Sequence, residues 1–137
     1  MNAPRTVTIS IAVVAGFLFL ATAAATVTGV SLLFPSPIWE GLWNLNPRAR
    51  EGFLRLGAVA GPLLLALGGV TCAAGIGFLR RRKWAWIVAL ALFAVNGAGD
   101  LVTLVWAHDL VRGGSGILVS GGFLFLLTRP GIRGSFD

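Results

Sequence analysis

Four runs along the chain are almost purely apolar, at about Thr6 to Phe34, Phe53 to Leu79, Trp84 to Ala107 and Leu110 to Thr128. None alternates polar with apolar positions, as a half-buried strand would. Each approaches or exceeds the length of about 20 residues that crosses the hydrocarbon core of a bilayer as a helix. The pattern therefore predicts an all-α integral membrane protein. Its four transmembrane helices should pack in a bundle, as one membrane domain over residues 1–137. The fourth run is the weakest, because its purely apolar part is only Ile117 to Leu127. It crosses if it begins at Leu110, with Arg112 reaching outward along its aliphatic stem.

The breaks between runs have local causes. Pro35 and Pro37 end the first run, since proline has no N–H and its ring clashes with the preceding turn. Ala21-Thr22-Ala23 would suit a signal-peptide cleavage site, but the apolar run continues well past it. Residues 36–46 follow, and Ile38, Trp39, Leu42 and Leu45 would share one face of a short helix lying in the membrane interface. Asn46-Pro47 reads as a helix N-cap followed by proline at the first helical position. Pro62 is expected to kink the second span near its start. Arg80 to Lys83 turns the chain directly from the second span into the third.

Composition agrees with the pattern. Only 12% of residues are charged, against about 25% in soluble domains. The net charge of +6 would suit a nucleic-acid binder, but the placement of the charges gives a simpler reason. Four spans put Arg5, Arg80, Arg81, Arg82, Lys83, Arg129 and Arg133 on one side, and Arg48, Arg50, Arg55 and Arg112 on the other. The positive-inside rule then makes both termini cytoplasmic, in a plasma (inner) membrane. Arg80, Arg81, Arg82 and Lys83 are expected to meet anionic lipid headgroups, and no nucleic acid is required. Trp39, Trp43, Trp84, Trp86 and Trp106 all fall near span ends, as interface anchors do. The single cysteine, Cys72, permits no intrachain disulfide. One cysteine and one histidine cannot make a structural zinc site, so neither metal nor cofactor is expected.

Two sets of residues stand out inside the spans. Gly57, Gly61, Gly68 and Gly75 in the second span, with Gly97 and Gly99 in the third, let helix backbones approach closely. Asp100 is the one acidic residue inside a span, and an intramembrane ionisable group is a functional candidate by default. Asn96 lies one turn before it on the same face, and Thr103 adjoins at the next turn. Thr22, Thr26 and Ser120 fall at comparable depths, which suggests a shared polar patch. Arg55 is a candidate partner for the Asp100 charge. The plainer reading makes Asp100 and Asn96 a helix–helix contact, worth about 0.6 kcal/mol but able to fix register. His108-Asp109 resembles a base with its orienting carboxylate, but it falls in a loop at the membrane edge with no nucleophile beside it, so an interfacial loop pair is the expected reading.

Trp39 with Gly41-Leu42-Trp43 resembles the W…GLW signature of claudin-type four-span proteins, but the two cysteines that follow it in that family are missing. No residue reads as catalytic. The expected function is that of a non-enzymatic accessory or structural subunit, packing with other membrane subunits or with itself. The alternative is a small oligomeric transporter or channel built on Asn96, Asp100 and Thr103.

Overall fold

A computed structural model describes residues 4–136, which form helices and turns with no strand among them. In chain order the helices are α1 (Arg5–Leu33), α2 (Pro37–Asn44), α3 (Pro47–Arg55), α4 (Ala60–Leu79), α5 (Lys83–Ala107), α6 (Leu110–Thr128) and α7 (Pro130–Arg133). A 3-10 turn, Gly57–Val59, leads into α4. Among the described residues, four helices are long and apolar enough to cross a membrane: α1, α4 with its leading turn, α5 and α6.

The segment between α1 and α4 departs from expectation. It holds two short helices rather than one, and the second span begins at Gly57 rather than at Phe53. Ser36 caps α2, accepting the Ile38 N–H at 3.5 Å, and Pro37 opens the helix. Asn46 caps α3 as its sequence suggests, its side-chain oxygen accepting the Ala49 N–H at 3.2 Å. Helix α3 then carries Arg48, Arg50, Glu51 and Arg55 within nine residues, too many charges to enter a bilayer. It ends at Leu56, and Gly57 turns the chain with φ +66°, a left-handed conformation that side chains other than glycine's disfavour. The break therefore lies at Gly57. Pro62 sits in the first turn of α4, where proline is better tolerated than in a helix interior.

The tight turns at the other ends of the long helices are also built locally. Arg81 has φ 55°, with its N–H donating to the Phe78 carbonyl at 3.0 Å and that of Arg82 to the Gly77 carbonyl at 2.9 Å. This is a Schellman closure of α4 with arginine in the place that glycine usually holds. His108, φ 51°, ends α5, and Asp109 caps α6 by accepting the Arg112 N–H at 3.1 Å.

The chain divides into two compact units. The first comprises residues up to Leu18 together with Ala73 onward, and the second comprises Phe19–Cys72. In the first, Phe17, Phe93 and Phe123 make an aromatic cluster with ring centroids 4.6 to 5.5 Å apart. Phe78 meets Phe136 at 4.6 Å. In the second unit, α1 and α4 touch through small residues. A side chain at Gly29 would meet the Gly61 carbonyl at 3.0 Å, and one at Gly68 would meet the Thr26 hydroxyl at 2.8 Å. The Thr22 and Thr71 hydroxyls share a hydrogen bond of 2.8 Å.

Candidate polar site on the α5–α6 hairpin

Asp100 and Asn96 occupy successive turns of α5, and the Asn96 amide donates to the Asp100 carboxylate at 3.4 Å. The same amide donates to the Ser120 hydroxyl of α6 at 3.2 Å. One NH₂ has two hydrogens, so a single side chain ties the acidic group to the facing helix. Ser120 is buried, Asp100 is half-buried and Asn96 is exposed.

Glycines on α6 create the room for this arrangement. A Cβ at Gly116 would fall on the Asp100 carboxylate itself. A Cβ at Gly113 would meet the Leu104 backbone nitrogen at 2.8 Å and the Asp100 carbonyl at 2.9 Å. Gly97, on α5, faces the Ser120 Cβ, which would lie 3.2 Å from a side chain there. The hairpin thus closes along Gly97, Asp100 and Leu104 on one side and Gly113, Gly116 and Ser120 on the other. Above it, the Trp86 indole donates to the Leu127 carbonyl at 3.0 Å. That carbonyl lies in the last turn of α6, where no later N–H of the helix can reach it.

The sequence brings some of its candidates here and leaves others elsewhere. Asn96, Asp100, Gly97 and Ser120 come together. Thr103 adjoins in sequence only, since its hydroxyl donates to the Gly99 carbonyl of its own helix at 3.0 Å. Thr22 and Thr26 belong to the second unit, where they contact Thr71 and Gly68. Arg55 also belongs to the second unit, exposed in the last turn of α3, where a cation complements the carbonyl end of a helix. Gly61 and Gly68 are packing positions, and Gly75 is buried. Gly57 serves a turn instead, and Gly99 faces open space. Gly113 and Gly116, the residues that seat Asp100, carry no signal in the sequence beyond a small-residue run at the start of the weakest span.

The tryptophans also divide. Trp106 is 83% exposed and Trp84 about half exposed, as anchors at an interface would be. Trp43 is 8% exposed and packs its ring edge-on to Phe53 at 6.3 Å. Trp86 is spent on the Leu127 carbonyl. Of the basic cluster, Arg81 is half-buried while Arg80, Arg82 and Lys83 are exposed. Asp109 serves as the cap of α6, its carboxylate accepting the Arg112 N–H.

No protein-family model matches the chain, and neither the curated proteins nor the solved structures give a match.

Proposed function

We propose that this chain is a small, non-enzymatic integral membrane protein that packs into a larger membrane assembly as an accessory or structural subunit. The observation that carries this reading is the division of its glycines. Gly29, Gly61, Gly68, Gly97, Gly113 and Gly116 are used within the chain, whereas Gly16, Gly69, Gly99, Gly121 and Gly122 face open space. Glycine in a helix interior costs about 0.5–1 kcal/mol relative to alanine. Glycines with no internal contact to justify that cost suit the faces by which one membrane helix approaches another. Gly99 lies between the exposed Val95 and Val102 on α5, and Gly121 and Gly122 lie between the exposed Leu118 and Phe125 on α6.

The polar residues support the same reading. Asp100 is the only acidic residue in the four long helices, and its carboxylate sits against Gly116 with Asn96 bridging to Ser120. Polar groups engaged in this way fix the register of a hairpin. In this reading the four long helices bundle across a plasma membrane with both termini in the cytoplasm, and Arg80 to Lys83 meet anionic headgroups.

Gentle solubilisation from native membranes followed by native mass spectrometry tests the proposal. A stoichiometric complex, with itself or with other subunits, is expected, and Gly99→Leu or Gly121→Leu should disperse it. A monomer without partners would overturn the proposal. So would ion-dependent flux in proteoliposomes abolished by Asp100→Asn, which would establish transport as the role instead.

A further inference from the structure

Two pockets of the second unit meet at Trp43. The larger, about 560 Å³, is an apolar groove in which Leu20, Ala24 and Val27 of α1 face Leu42 of α2 and Ala49 and Phe53 of α3. The smaller, about 230 Å³, is lined by Ser31, Ser36, Glu40, Arg50 and Trp39. Trp43 lines both, and Phe53 holds its ring in place. The pair of pockets therefore offers a hydrocarbon slot beside a small chamber with one acidic and one basic side chain.

The charges select among amphiphiles. A simple anion would gain from Arg50 and be opposed by Glu40. A simple cation would meet the reverse. A head that carries phosphate and ammonium together satisfies both: guanidinium binds phosphate through paired N–H donors, and ammonium is attracted to a carboxylate and to the face of an indole. Ser36 accepts the Ile38 N–H, which leaves its own O–H to donate. A primary ammonium can also donate hydrogen bonds to Glu40, which a quaternary one cannot.

We propose that α1, α2 and α3 form a binding site for a zwitterionic glycerophospholipid of the ethanolamine type. Its phosphate meets Arg50, its ammonium meets Glu40 beside Trp39, and one acyl chain lies in the groove along Trp43. The site rests on the membrane reading of the chain and not on its assembly with partners.

The test is native mass spectrometry of the full chain in detergent with dioleoyl phosphatidylethanolamine and dioleoyl phosphatidylglycerol in equal amounts. The ethanolamine adduct should exceed the glycerol adduct about threefold, the ratio that one exposed ion pair of ordinary strength supplies. Glu40→Gln should abolish that preference, Arg50→Gln should reduce both adducts, and Trp43→Ala should reduce both further. Equal adducts in the wild type, no adduct at all, a preference unchanged by Glu40→Gln, or adduct levels unchanged by Arg50→Gln would overturn the site. The two charge variants alter exposed side chains, so they decide the matter even if Trp43→Ala does not fold. Lipid adducts are read on monomer and oligomer peaks alike, which separates this result from the fate of the assembly.

Discussion

Asp100 and Gly116 show how much a missing side chain can determine. The carboxylate crowds the place a Cβ on Gly116 would take, while a Cβ on Gly113 would come within 2.8 to 2.9 Å of the Leu104 Cβ and the α5 backbone. A side-chain tip can swing aside and a helix backbone cannot. Overpacking costs typically 1–3 kcal/mol, so Gly113→Ala should lower the unfolding temperature in detergent more than Gly116→Ala does. Gly99→Ala, which meets nothing within the chain, should leave the unfolding temperature of the monomer unchanged or raise it, since alanine is the better helix former. Replacing Asp100 with Ala should remove most of the penalty of Gly116→Ala in a double-mutant cycle; additive effects would show that the two residues do not touch. Asp100 and Asn96 are legible in the sequence because a polar pair one helical turn apart stands out in an apolar run. Gly116 is not legible, because the run Gly113-Gly114-Ser115-Gly116 reads equally well as the frayed start of a short span.

At the scale of elements, the two tight turns each place a residue other than glycine in the left-handed region, Arg81 and His108. That conformation costs a side-chain-bearing residue about 1–2 kcal/mol. Arg81→Gly and His108→Gly should therefore stabilise the α4–α5 and α5–α6 connections, read as higher unfolding temperatures in detergent. Asp109 separates two roles by chemistry. As an N-cap it should tolerate Asn, an equally good cap, while Ala should cost about 1 kcal/mol; as the partner of a catalytic histidine it would tolerate neither. The caps of α2 and α3 follow from Ser36-Pro37 and Asn46-Pro47, and the apolar cores of all four long helices follow from their length. The break at Gly57 does not. Within an apolar run that begins at Phe53, one glycine looks like any other, and only the backbone conformation tells a turn from a packing position.

For the whole molecule, the decisive quantity is the apolar surface left uncovered. Of the most apolar window of α5 only 11% is buried, and Val95, Leu101, Val102 and Val105 remain more than half exposed. Exposing such surface to water costs roughly 25 cal/mol per Å², whereas lipid covers it without penalty, so the helices suit a bilayer. In the proposed four-span topology, the placement of the eleven basic residues would set the orientation. Seven fall on the side of the termini and the Arg80 to Lys83 turn, and all four arginines of the opposite side lie in α3 or at the start of α6. In a Cys72→Ala background, Ser135→Cys should be protected from a membrane-impermeant maleimide in intact cells, and Asn44→Cys should be labelled. The opposite pattern would invert the topology, and equal labelling of both sites would mean dual insertion. Exchanging Arg80, Arg82 and Lys83 for serine leaves Arg81 in its turn but removes three of the seven charges, reducing the excess to a tie of four against four. Labelling of Ser135→Cys should then rise toward that of Asn44→Cys, because lysine and arginine in short loops set the orientation of a membrane protein.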